Sequence, residues 1–518
     1  MHGLYARQAA MIRKRLLLPL TLGVVLACPM AQAQAQAPSA PAISQAAPAP
    51  RTFSSEHVAR IGGKSVRYSA QVEEFLLADP AGAPQASIIT TSYIARPAPG
   101  GGERPVIFVF NGGPGSSSVW LHLGFAGPRR LVLADPVNPP TTPPFVLTDN
   151  EESPLDIADI VMIDPPGTGF STVLPGGKTE QFYGVQQDAA AMVRLIEAWI
   201  QRHDRWNAPR YLLSESYGTI RAAAVARLMA GGPMETGRMT GLPLSGVILL
   251  GQAMGADPGA DMAAVLALPS LAATACHFGK IAGPCDIAEH TQKARDFAAG
   301  PYLAALYQGS ALPDADRTTI AASLASLTGI APQALLASDL KISPGQFART
   351  LLAADNRQIG LYDARFTLPL APNGNDPVAD DPAMGQYVPA FVGALNSYMR
   401  RDLKVAINQP YEAIAFRTVN ARWDYGMGPG IPSRRNFGED LGIAMRRNPA
   451  MRLMVGTGYF DLVTTLGAAE YTIRHSGIPL EATRFTYYRS GHMPYLGDDT
   501  RRELARDVRA FITGGSAR

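Results

Sequence analysis

Residues 211–218 read Tyr211-Leu212-Leu213-Ser214-Glu215-Ser216-Tyr217-Gly218, and the fold is decided there. The apolar run 211–213 predicts a short strand, and the spacing over 220–229 predicts a helix. A strand that turns sharply into a helix across small residues holds the central Ser216 exposed above a sheet edge. The N–H of Tyr217, at the helix start, then points where negative charge on a substrate oxygen would form. The plain alternative is that Ser214 or Ser216 only caps a helix.

Outward from this turn, apolar runs at 87–96, 105–110, 159–164, 245–250, 452–455 and 484–488 predict strands, and 185–203 predicts a helix. Alternating strands and helices, with several strands running into glycine-containing loops, indicate a mostly parallel sheet covered on both faces. In such sheets functional groups collect at the carboxyl ends of the strands. Upstream of the turn, one predicted strand runs directly into 111–118, Asn-Gly-Gly-Pro-Gly-Ser-Ser-Ser. Its paired glycines let backbone approach a ligand closely, which makes Gly113 a candidate second oxyanion donor. An ordinary turn has the same composition. Downstream, Asp461 follows a glycine-rich strand end, and His492 lies in Ser490-Gly491-His492-Met493-Pro494. The chain order Ser216, Asp461, His492 is the order of the α/β-hydrolase triad, with the imidazole as general base and the carboxylate as its orienter.

The expected fold class is therefore α/β, an α/β-hydrolase fold with an inserted helical cap. Residues 1–35 read as an export signal: Arg13, Lys14 and Arg15 precede the apolar stretch 16–27, and alternating alanines follow. A buried N-terminal helix is the bland reading. Residues 36–54 form a Pro/Ala-rich linker. Residues 55–258 form the first part of the core, 259–410 a mainly helical cap, and 411–518 the second part of the core. The expected location is outside the cytoplasm, periplasmic or secreted; lipoprotein anchoring through Cys28 is the less favoured variant.

Apolar residues make up 47% and charged residues 17%, which supplies a large core and argues against disorder. The net charge of +3, some of it in the signal segment, leaves no basic stripe for nucleic acid. No segment after the signal is expected to span a membrane. Cys276 and Cys285 remain after export, and an oxidising compartment favours their pairing over two free thiols. With His277 and His290 they lack a metal-ligand spacing, so neither metal nor organic cofactor is expected.

Taken together, these segments resemble the serine carboxypeptidases. The 111–118 loop is similar to that family's NGGPGCSS, 163–171 to its DxPxGxGxS segment, 214–218 to its GESYxG elbow, Tyr362-Asp363-Ala364-Arg365 to YDIR, and Gly491-His492-Met493 to GHM. The resemblance implies an acyl-enzyme peptidase acting on peptide or protein C-termini, with an oxyanion hole from Gly113 and Tyr217. It places Asn111, Gly112 and Glu215 at the substrate's terminal carboxylate, Glu215 protonated or sharing a proton, and Met493 among the residues that shape the side-chain pockets. A homodimer would be in keeping with some relatives. Ser116 replaces a cysteine, Val109 a tryptophan, and Phe125 falls where a second glutamate is expected, so the acid preference should weaken. Two further readings stand beside this one: an esterase or acyltransferase on the same scaffold, and an inactive binding module.

Overall fold

The computed structural model describes residues 49–96, 102–133, 135–371, 376–431 and 434–514. The expected signal at 1–35, with Cys28, and most of the 36–54 linker lie outside the described residues. The linker expectation fails at its end: β1, Thr52–Ile61, already pairs in register with β2, Lys64–Ala78, at Thr52 opposite Glu73. The core expected from residue 55 begins three residues earlier, where the Arg51 guanidinium pairs with Glu74 beside the strand start.

β2 pairs antiparallel with β3, Pro84–Ala95, which pairs antiparallel with the inner strand Asp159–Ile163. The inner strands are β4, Val106–Phe110; β5, Asp159–Ile163; β6, Arg210–Glu215; β7, Gly246–Leu250; β8, Arg452–Gly458; and β9, Thr483–Tyr488. Their order across the sheet is β1-β2-β3-β5-β4-β6-β7-β8-β9, and from β5 onward all neighbours are parallel. Thr172–Val173 adds a short tenth strand beside β3. Every residue of β4, β5, β6 and β7 is buried, which is why these strands read as continuous apolar runs rather than alternations.

Register brings the strand ends level. Phe110 lies opposite Ser214, and Leu250 lies opposite both Glu215 and Gly456. The loops after β4, β6, β7 and β8 therefore leave the sheet at one edge. Helices α1, Val185–Arg202, and α2, Tyr217–Met229, pack on one face with Phe108, Leu212 and Val247. The opposite face packs Ile107, Val109 and Leu213 against Trp120, Tyr387 and Val508.

The region after residue 259 is largely helical. Helix α3, Gly259–His277, is long and apolar enough to cross a membrane by length and composition. Here 67% of its apolar window is buried, packed with Leu324, Leu335 and Phe347 in a separate core. Cys276 and Cys285 are bridged, with Cα atoms 5.8 Å apart. The expected cap runs to 410, but its own core ends near Ala364. From Phe366 to Ala413, including helix α4, Met384–Arg401, the buried residues join the sheet's core around Trp120. Apolar helices look alike in sequence, so which core they join is set only by tertiary packing.

One buried ion pair ties these layers together. The Arg221 Nε donates to Asp188 at 2.6 Å, its Nη1 donates to the Asn111 carbonyl at 2.6 Å, and both side chains are fully buried. α1, α2 and the loop after β4 thus meet at one guanidinium. Burial pushes the Asp188 pKa up, with Arg221 pulling it back. Arg221→Ala leaves a buried carboxylate unpaired and is expected to cost about 3–5 kcal/mol by chemical denaturation. The double variant Arg221→Met, Asp188→Leu should recover a large part of that loss.

Candidate active site

Ser216 sits between β6 and α2 with φ 60° and ψ −132°, a positive-φ conformation that costs a non-glycine residue free energy. Its backbone N–H donates to the Leu250 carbonyl at 3.0 Å, and its carbonyl accepts from the Thr219 N–H and hydroxyl. Both ends of the turn are pinned, so the strain is held. β6 runs two residues further than 211–213 and α2 begins three residues before 220, which makes the turn a single residue wide.

The loop after β4 lies against this turn. A Cβ on Gly112 would stand 2.5 Å from the Tyr217 nitrogen and 2.8 Å from both the Ser216 Cβ and the Glu215 carbonyl oxygen. Only glycine permits this approach. Gly113 follows with φ +101°. Neither the Gly113 nor the Tyr217 N–H has a partner among the described residues, and Gly113, Ser216 and His492 line one cavity. These are two adjacent donors beside a hydroxyl. Asp164, from the 163–171 segment, holds the loop's far end by accepting from the Ser118 N–H at 2.9 Å, the Ser118 hydroxyl at 2.7 Å and the Tyr411 hydroxyl at 3.1 Å. Burial raises its pKa against those hydrogen bonds.

His492 Nδ1 lies 2.8 Å from Asp461 Oδ2. Asp461 is completely buried, and its Oδ1 accepts the Val463 and Thr464 N–H groups at 2.9 and 2.8 Å. The Thr464 hydroxyl donates to Oδ2, the oxygen the imidazole uses, and lies 3.1 Å from Nδ1. Burial alone would drive His492 toward its neutral form. The charge and hydrogen bond of Asp461, with help from Glu215 and Asp381, outweigh it, and the pKa is raised. His492 Nε2 is buried without a partner among the described residues. It shares the cavity with Ser216, and the hydroxyl–imidazole hydrogen bond is not closed in this structure. Such bonds commonly tighten only when substrate is bound.

The 361–365 segment clamps the histidine loop. The His492 N–H donates to the Tyr362 carbonyl at 2.6 Å and the Gly491 N–H to Asp363 Oδ2 at 3.2 Å. Arg365 pairs with Asp363 and donates to the Arg489 carbonyl at 3.0 Å. The Tyr362 ring stands edge-on to the imidazole at 5.3 Å.

Glu215 is buried beside Ser216. Its Oε1 accepts from Asn111 Nδ2 at 2.9 Å, while Oε2 has no hydrogen-bond partner among the described residues. Burial pushes its pKa up to about 7, although His492, the facing Tyr495 hydroxyl and Asn111 pull the other way. Tyr495 lies alongside without closing a bond of ordinary geometry. Asn111 differs from its expected role: fully buried, it spends its carbonyl oxygen on the Leu121 N–H at 3.1 Å and its amide on Glu215. It lies outside the cavity lining and holds Glu215, while Gly112, Glu215 and Met493 line the cavity. Phe125 is completely buried and stacks on Tyr495 at 6.5 Å instead of facing the cavity. Val109 is buried in β4. Thr464 carried no sequence signal, because a threonine three residues past an aspartate is common. Among the described residues no cluster of His, Cys, Asp and Glu could hold a metal ion.

The family model for serine carboxypeptidases matches residues 95–253, which span the 111–118 loop, Asp164 and the Ser216 turn but neither Asp461 nor His492. No curated protein matches the sequence. Among solved structures, a prohormone-processing carboxypeptidase from Saccharomyces cerevisiae aligns with TM-score 0.53 and 14% identity, over 86% of this chain and 92% of that one. A thermophilic esterase from Thermogutta terrifontis aligns at TM-score 0.35 and 13% identity, over 85% and 98%. A proline iminopeptidase from Mycobacterium smegmatis aligns at TM-score 0.33 and 13% identity, over 89% and 99%. The fold is that of the α/β hydrolases, and the resemblance to serine carboxypeptidases read from the motifs stands.

Two outcomes follow. Gly112→Ala should push the Tyr217 N–H out of place and slow labelling of Ser216 by a fluorophosphonate by about 100-fold or more, with the circular dichroism spectrum retained. Thr464→Val removes a competing donor from Asp461 Oδ2, so the imidazolium is held more firmly and the His492 pKa rises further. The acid limb of the labelling rate should move to higher pH by roughly 0.5–1 unit, and Thr464→Ser should restore it.

Proposed function

We propose that this protein is a serine-type carboxypeptidase that releases C-terminal residues from peptides through an acyl-enzyme. The observation that carries the proposal is Glu215. It is a buried carboxyl next to the nucleophile, one oxygen held by Asn111 and the other unpartnered at the cavity. A carboxyl whose pKa lies near 7 is protonated in mildly acidic solution and donates a hydrogen bond to a carboxylate. A free peptide C-terminus is the ligand that such a donor selects, whereas an internal peptide bond offers no charge at that position.

The reaction runs as follows. Ser216 Oγ attacks the carbonyl carbon of the last peptide bond while its proton passes to His492 Nε2. The resulting oxyanion accepts hydrogen bonds from the Gly113 and Tyr217 N–H groups. The C–N bond breaks, the departing amino group takes the proton from Nε2, and Ser216 is left acylated. Water then attacks the ester, gives its proton to Nε2, and the serine oxygen leaves with that proton. Asp461 holds the imidazole by Nδ1–H and stabilises the imidazolium. No step calls on a metal or organic cofactor. The Cys276–Cys285 pairing fits the export proposed for residues 1–35.

A second reading, an esterase or acyltransferase on the same scaffold, is favoured by Val109, which stands where the family has a tryptophan, and by Phe125, which leaves Glu215 without a second carboxyl beside it. The two readings separate on a blocked dipeptide, its C-terminal amide and a p-nitrophenyl ester. Preference for the free acid over the amide supports the peptidase, and turnover of the ester alone supports the alternative.

The pH dependence follows from the two groups. His492 must be neutral to accept a proton, which sets the acid limb. Glu215 must be protonated to bind a carboxylate, which sets an alkaline limb near its pKa of about 7. For free-acid peptides kcat/KM should be bell-shaped, with the alkaline fall carried by KM. Glu215→Gln, neutral at every pH, should remove that limb. An alkaline limb that persists in Glu215→Gln would overturn the assignment of Glu215.

A further inference from the structure

We infer that the side chains on both sides of the scissile bond are apolar, and that cationic and anionic side chains are disfavoured at either position. This inference rests on the peptidase reading of the cavity and names the substrates that the cavity admits. Around Ser216 and His492 the wall is built from Trp120, Tyr362, Met384, Tyr387, Ile414 and Phe416. No lysine, arginine or aspartate lines it among the described residues.

Two of the polar groups on this wall are satisfied by neighbouring wall residues. Trp120 Nε1 donates to the Ser116 hydroxyl at 2.8 Å, and the Tyr387 hydroxyl donates to the Met384 thioether at 2.6 Å. Both rings therefore offer carbon to the cavity. They are also backed by packing: Trp120 lies 6.0 Å from Tyr387 and 5.4 Å from Phe391, centroid to centroid. An aromatic or branched aliphatic side chain can desolvate against this surface.

A lysine or arginine side chain would need a carboxylate. In the peptidase reading Glu215 is taken up by Asn111 through Oε1 and by the substrate's terminal carboxylate through Oε2, and Asp381, whose charge reaches His492, is buried and accepts from the Leu361, Ala383 and Met384 N–H groups. A glutamate or aspartate side chain would find no lysine or arginine among the described residues that line the cavity. Burying either charge without a partner is the costly case. Tyr387 and Glu215 line the same cavity. Ile414 and Phe416 lie on the segment bridged to Ser116 and extend the same apolar character across the loop.

The test is a panel of blocked dipeptides with free C-termini, varying the penultimate and terminal residue separately among Phe, Leu, Lys and Glu. The enzyme is the full chain, titrated with a fluorophosphonate. Apolar residues should exceed Lys and Glu by about 10–100-fold in kcat/KM at each position. Equal or faster cleavage of the charged members overturns the inference. Phe416 is 45% exposed, so Phe416→Asp can be accepted without repacking the core. It should narrow the Phe-over-Lys ratio at one of the two positions by at least about tenfold, and an unchanged ratio at both would remove this wall as the determinant. If Ser216 is labelled yet no dipeptide is cleaved, the peptidase reading fails by itself. The wall is then tested with p-nitrophenyl esters of phenylalkyl, aminoalkyl and carboxyalkyl acids, where the same ranking is expected and a charged acyl group cleaved as fast as the phenylalkyl one overturns it.

Discussion

The site depends on one backbone contact, the seating of Gly112 against the turn that carries Ser216. With a Cβ-to-nitrogen distance of 2.5 Å from Tyr217, no side chain fits between the loop and the turn. This closeness is what puts the unpartnered N–H groups of Gly113 and Tyr217 together. Backbone donors cannot swing toward a ligand as side chains can, so their positions must be right before the substrate arrives. Arg221 holds the other side of the contact by bonding the Asn111 carbonyl while Asp188 neutralises it. The price is a fully buried charge pair, which contributes little net stability but is costly to break.

The same logic governs the histidine loop. His492 is fixed through Nδ1 by Asp461 and through its backbone by Tyr362, and Asp363 holds its neighbour Gly491. Every accepting position of the Asp461 carboxylate is occupied, two by backbone N–H groups and two by Thr464 and His492. Such a carboxylate has no freedom to rotate, and the imidazole inherits that rigidity. What remains open among the described residues is Nε2, the atom that exchanges a proton in the proposed reaction.

Some departures from good local structure lie at the site. Ser216 holds a positive φ, and Glu215 Oε2, His492 Nε2 and the Tyr495 hydroxyl are buried without partners among the described residues. Each unpaired group disfavours the folded chain. They are tolerated because the surrounding sheet, with its strands buried on both faces, over-determines their positions, and local rules commonly fail at functional sites.

Much of this was legible in the sequence. Continuous apolar runs such as 106–110 and 246–250 marked buried parallel strands, and glycine clusters marked the edge where they end. The order of Ser216, Asp461 and His492 suggested convergence. Other features carried no linear signal. Thr464 shares a carboxylate oxygen with His492, Arg221 reaches across two helices, and Asn111 holds Glu215. Phe125 is buried under Tyr495, and residues 366–413 join the sheet's core instead of the helical one. Sequence determines what is set by neighbours along the chain: strand periodicity, tight turns and the chemistry each residue brings. Which buried oxygen meets which donor, and which of two apolar cores a helix enters, depends on contacts between segments far apart in the chain. Only the packed tertiary structure decides those.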